Sequence, residues 1–144
     1  AEKLPDVEDY HAIAKRPEHE MISKARLGQG PWRNDLIAFW STCAVTGCQD
    51  TALLRASHIK PWARSSPREC LDPYNGLLLS PALDACFDQG YISFEDDGRI
   101  RISPKLSVAD AEVLGISAEM KLSQIDRRHC SYLEYHRKHV FQEG

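Results

Sequence analysis

Between residues 31 and 40, apolar side chains recur at helical spacing. Leu36, Ile37 and Trp40 share one side of a helix whose first turn holds Pro31. Trp32 and Arg33 stand near its start, where Trp32 reads as packing. Before it, residues 1–17 lack a clear period and, with a short helix over 18–27 broken by Gly28-Gln29-Gly30, set apart an N-terminal arm or linker over 1–25. After it, turn chemistry at Thr46-Gly47 and Gln49-Asp50 leads into an apolar run over 52–59 that reads as a strand, ended by Pro61. Residues 63–72 are polar and read as a surface loop. A second apolar run, 76–80, follows Asn75-Gly76 as a short strand, and Pro81 opens a helix through Phe87 that Gly90 terminates. Asp96-Asp97-Gly98 joins the alternating segments 91–95 and 99–103 as a hairpin. A helix over 107–114 ends at Gly115. In a last helix over 129–141, Tyr132, Leu133, His136 and Val140 share one face. The pattern is that of an α+β fold.

The 144 residues fit one domain with a real core. No apolar run approaches the roughly 20 residues that span a bilayer, so no membrane partner is expected. The net charge is −3, from 18 Lys plus Arg against 21 Asp plus Glu. That balance is unusual for a nucleic-acid binder, but its distribution is uneven. Arg55, Lys60, Arg64 and Arg68 flank His58, and Arg127, Arg128, Arg137 and Lys138 crowd the C-terminal end. Each is a candidate phosphate contact. The five cysteines are odd in number and irregularly spaced, which fits a reduced, cytoplasmic protein. Cys43 and Cys48 have the spacing of one zinc-ligand pair, but no second pair follows, so structural zinc is not expected.

The chemistry concentrates between residues 56 and 90. Phosphodiester hydrolysis needs an activated water and a cation to offset charge on the phosphoryl oxygens. His58, at a strand end beside a basic loop, has the right residue type to take a proton near neutral pH. Asp84 and Asp88, four apart on the helix, repel one another unless a cation lies between them, and carboxylates suit Mg²⁺ or Mn²⁺. Asn75 reads either as a turn residue or as an amide that pins the loop carrying His58. His136, on an apolar helix face, reads as a buried structural histidine.

The order His58, Asn75, Asp84, set in Ser-His-Ile-Lys-Pro-Trp at 57–62 and Asn-Gly-Leu-Leu-Leu-Ser-Pro-Ala-Leu-Asp-Ala-Cys-Phe-Asp-Gln-Gly at 75–90, resembles the HNH endonuclease family. It is most similar to the bacterial branch found in restriction-type nucleases. Leu27-Gly-Gln-Gly with Arg33, Cys43-Ala-Val-Thr-Gly, the hairpin at 91–103 and Tyr132-Leu-Glu-Tyr-His-Arg extend the resemblance over about residues 26–142.

The resemblance implies a ββα-metal finger with flanking helices and an additional hairpin, in a domain over 26–144. It implies a DNA endonuclease that leaves 5′-phosphate and 3′-hydroxyl ends, with one divalent ion. His58 would be general base and Asn75 loop organiser, with Asp84 in the metal slot. Two positions depart from the pattern. Asp84 stands where the family's last histidine stands, and Ser57 where many relatives carry a metal-binding aspartate. The ion would then be held by Asp84 with help from Asp88, Ser57, water and phosphate. A homodimer and an upstream reader domain in a longer chain are further expectations. The alternative is a non-catalytic nucleic-acid-binding module that has kept the fold.

Overall fold

A computed structural model describes residues 27–144; the expected arm over 1–25 and nearly all of the helix at 18–27 lie outside them. The first helix, α1 (Gln29–Trp40), starts two residues before Pro31, which lies in its first turn as expected, so Gly30 lies inside it. Its buried side chains Gln29, Trp32, Leu36 and Trp40 fall three to four apart and form one stripe. Strand β1 (Arg55–His58) is shorter than the apolar run. The residues before it, Thr51–Leu53, form a 3-10 turn because the Asp50 side chain accepts from the Ala52 N–H.

Between the strands, the expected surface loop contains a one-turn helix, α2 (Pro67–Leu71). Ser66 caps the Glu69 N–H, Glu69 reaches back to the Ser66 N–H, and Pro67 takes the first helical position. That capping box outweighs the polar composition of the segment.

Strand β2 (Gly76–Leu79) pairs antiparallel with β1, His58 opposite Gly76 and Arg55 opposite Leu79. All four β2 residues are buried, so both faces of this ribbon are covered. Gly76 is needed for close approach. A Cβ there would come within 2.7 Å of Leu36 and 2.8 Å of Trp32, so α1 lies almost on the strand backbone. Helix α3 (Pro81–Asp88) packs against both strands and against β3. It ends at Gly90, whose φ of +78° is the left-handed conformation glycine adopts without strain.

The hairpin β3 (Ile92–Phe94) and β4 (Ile100–Ile102) forms as its alternation predicts, Ile92 opposite Ile102 and Phe94 opposite Ile100. A short helix α4 (Val108–Leu114) is capped by Ser107 and stopped by Gly115. The last helix, α5 (Cys130–His139), docks on β3 through Leu133 and His136. Among the described residues, no helix is long and apolar enough to cross a membrane.

His136 is a structural member of this interface. Its Nδ1 accepts from the Ser93 hydroxyl at 2.7 Å and its Nε2 donates to the Phe87 carbonyl at 2.8 Å. The ring lies flat on Phe87, centroids 3.8 Å apart. Burial pushes its pKa down from 6.5 to about 4, with Arg137 adding to the effect against the Phe87 bond. The folded chain therefore refuses a proton that the unfolded chain takes up between those values, and stability falls as pH drops from 6.5 towards 4. Denaturant titrations are expected to show the protein about 2 kcal/mol less stable at pH 5 than at pH 7.5 on this account. A His136→Gln chain is expected to lose this contribution and keep only what the buried His129, whose pKa burial also lowers, supplies.

Candidate active site

Strand β1 delivers His58 to the end of the ribbon that the 59–75 segment closes, opposite Gly76. The imidazole is half-buried and lies flat on the Trp32 indole, ring centroids 3.9 Å apart and planes within 5°. Trp62, in the segment after the strand, stands edge-on to it at 5.7 Å. The His58 Nε2 is 3.0 Å from the Cys70 carbonyl oxygen. A carbonyl only accepts, so Nε2 carries the proton and Nδ1 holds the basic lone pair. Gln29 Nε2 also donates to the Cys70 carbonyl at 3.0 Å, fixing α1 to the same oxygen.

Asn75 organises the segment between the two strands. Its side chain is fully buried. Its Oδ1 accepts from the Lys60 N–H at 2.8 Å, and its Nδ2 donates to the Glu69 carbonyl at 3.1 Å, with longer contacts to Ser65 Oγ and the Lys60 carbonyl. One amide thus ties the residue after Ile59 to the helix that presents Cys70. The turn itself is formed by Pro73 and Tyr74, and Asp72 Oδ1 accepts from the Tyr74 N–H.

Asp84 lies in the first turn of α3 and is 9% exposed. Asp88, at the helix end, is exposed, so the shared face expected from their spacing does not give the two carboxylates a shared environment. Ser57 is buried within β1, opposite Leu77. Among the described residues no three His, Cys, Asp or Glu side chains stand together as a metal-binding group. Cys43 and Cys48 are free thiols. Burial raises the Cys43 thiol, but hydrogen bonds from Thr46 and neighbouring backbone bring its pKa below the ordinary value.

The cations divide into two sets. Arg64 and Arg68 are exposed in the segment that follows His58, and Arg55 is exposed at the other end of β1, opposite Leu79. Lys60 is engaged: its Nζ pairs with Glu69 at 3.0 Å and lies over the Tyr135 ring. At the C-terminal end, Arg137 pairs with Asp96 and donates to the Phe94 carbonyl, Lys138 pairs with Glu134, and Arg128 binds Asp126 beside the Tyr74 ring. Those three are spent on intramolecular partners.

Sequence reasoning missed Trp32, Gln29, Asp72 and Tyr132 as neighbours of the site. The three-to-four spacing of Gln29, Trp32 and Leu36 was the available signal for the first two.

The model of the HNH endonuclease family matches residues 43–95. The matched stretch contains β1, α2, β2 and α3, the two strands and helix that present His58, Asn75 and Asp84, and runs through β3. Over this stretch the chain is similar to the HNH endonuclease family, whose class of activity is nucleic-acid cleavage. No curated protein matches the chain.

Proposed function

We propose that the protein is a metal-dependent DNA endonuclease in which His58 is the general base. The observation that carries this reading is the bond from His58 Nε2 to the Cys70 carbonyl. It fixes the tautomer in which Nδ1 takes the proton of an attacking water, and the carbonyl stabilises the imidazolium that forms. As the water oxygen bonds to phosphorus, the bond to the 3′ oxygen breaks. That oxygen is protonated from solvent, leaving 5′-phosphate and 3′-hydroxyl ends.

The donor set fits one small, hard divalent ion, Mg²⁺ or Mn²⁺. Such ions take one or two carboxylates and keep several waters and substrate oxygens, so a three-ligand protein cluster is not required. Asp84 is the residue to hold it, with Ser57 as a weaker oxygen donor and Asp88 at the solvent edge. When bound, the ion neutralises charge on the phosphoryl and leaving oxygens. Arg55, Arg64 and Arg68 would contact backbone phosphates of duplex DNA, giving salt-sensitive binding. One such site cuts one strand at a time, so cleavage of both strands calls for a homodimer or rebinding. A restriction-type defence role in the cytoplasm, with a reader domain elsewhere in a longer chain, is the biological setting this chemistry suits.

The metal assignment is tested by titrating Mn²⁺ into plasmid-nicking reactions. Asp84→Ala is expected to raise the Mn²⁺ needed for half-maximal nicking by at least the roughly 10–100-fold that losing an outer-shell partner costs. Asp88→Ala is expected to change it far less. Wild-type behaviour of Asp84→Ala removes that carboxylate from the role.

A further inference from the structure

The family match begins at residue 43, yet the residue lying flat against His58 comes from α1, outside it. Trp32 is 3% exposed, and its indole N–H donates to the Asp72 carbonyl at 2.9 Å, which fixes the ring's rotation as well as its place. Asp72 is itself held from two sides. The Asn75 N–H donates to the same carbonyl at 2.9 Å, and the Tyr132 hydroxyl of α5 donates to the carboxylate at 2.6 Å. Burial, and then the Asp72 carboxylate, keep the Tyr132 phenol protonated far above its ordinary range, so this donor persists at any working pH. From the other side, a Cβ on Gly76 would touch Trp32, so the indole has no room to withdraw towards the strand.

We propose that Trp32 is a positioning residue for His58, aligned by a chain of bonds that runs from Tyr132 on α5 through Asp72 to the indole. A hydrogen bond at Nε2 does not by itself define the ring plane, whereas a flat neighbour 3.9 Å away does. Stacked rings also gain about 0.5–1.5 kcal/mol beyond their burial, enough to favour one ring orientation. The plane of the ring decides where the Nδ1 lone pair points. The C-terminal helix and α1 thus act on the base without touching substrate.

This inference rests on the nuclease reading, but its first test does not need turnover. In protein labelled with ¹³C-histidine, the His58 ring resonances are assigned by their loss in His58→Gln. In the wild type they are expected upfield, in the shielding cone of the indole. They should move downfield in Trp32→Leu and stay close to the wild-type position in Trp32→Phe. In plasmid nicking, Trp32→Leu is expected to lose about 10²-fold in kcat with KM for DNA unchanged, the cost of misaligning a reacting group. Trp32→Phe should recover most of that loss. Tyr132→Phe deletes one hydroxyl and carries the test if Trp32→Leu fails to fold: a downfield His58 shift with a lower kcat is expected. Two results overturn the proposal. One is His58 resonances that do not move when the indole or the hydroxyl is removed. The other is a variant that melts earlier yet cleaves normally per folded molecule, which is a structural role only. Failure of the wild type to nick would instead defeat the nuclease reading, and the ring resonances would still decide the stack.

Discussion

His58→Ala is expected to reduce Mn²⁺-dependent nicking of supercoiled plasmid by about 10²–10⁴-fold, the usual contribution of a positioned general base. The loss should fall on kcat, because the imidazole acts on the attacking water and the exposed Arg55, Arg64 and Arg68 remain to bind phosphate. His58→Gln is the sharper variant. Glutamine keeps a donor able to reach the Cys70 carbonyl but cannot accept a proton near neutral pH, so it should be as inactive as alanine. DNA affinity in a gel-shift assay should be nearly unchanged for both variants. That combination separates a nuclease from a module that only binds nucleic acid. For a binding module, no His58-dependent cleavage exists to lose.

Asn75→Ala should be the most destabilising single change at the site. The amide is fully buried and bonds to the Lys60 N–H and the Glu69 carbonyl, with further contacts to Ser65 and the Lys60 carbonyl. Removing it strands those backbone groups, at about 1–3 kcal/mol for each that water cannot reach. A loss of about 3 kcal/mol is therefore expected from the midpoint of denaturant unfolding. Asn75→Asp should be no better. It keeps the acceptor for Lys60 but turns a carboxylate towards the Glu69 and Lys60 carbonyls, where two donors stood. Cleavage should fall with stability, since this amide holds in register the short helix whose Cys70 carbonyl binds the base. A misplacement of about 1 Å there can cost about 10²-fold in rate. An Asn75→Ala chain as stable as the wild type would mean that the segment is held by something else.

The sequence made the periodic elements legible. Helix α1 followed from Leu36, Ile37 and Trp40; the β3–β4 hairpin followed from the Asp-Asp-Gly turn and its flanking alternation; and α5 followed from the stripe containing Leu133 and His136. Short elements set by single side chains were harder to read. Ser66 and Glu69 make a one-turn helix inside a segment whose composition suggests a loop, and Asp50 tightens a turn where an apolar run suggests strand. Gly76 illustrates the same limit. Beside Asn75 it reads as a turn glycine, whereas its need is room for Trp32 and Leu36, a demand made by residues some 40 positions away. His58, Asn75 and Asp84 stand out as candidates by their order because each lies at a fixed place in a local motif. The Trp32 stack and the Tyr132–Asp72 bond join segments far apart in the chain, and no local pattern records them. Charge was misleading in one respect: Lys60 and three of the four C-terminal cations are partnered within the protein, and only three-dimensional neighbours distinguish them from Arg55, Arg64 and Arg68.

The account depends on His58 and Asp84 serving one phosphodiester. The most direct measurement is an anomalous difference map from crystals of the wild-type chain with Mn²⁺ and a duplex carrying an uncleavable phosphorothioate link. The account predicts a single manganese peak bonded to the Asp84 carboxylate and a scissile phosphate oxygen, with His58 Nδ1 one water away from that phosphorus. Manganese elsewhere on the protein, or a phosphate beyond the reach of His58, would contradict it.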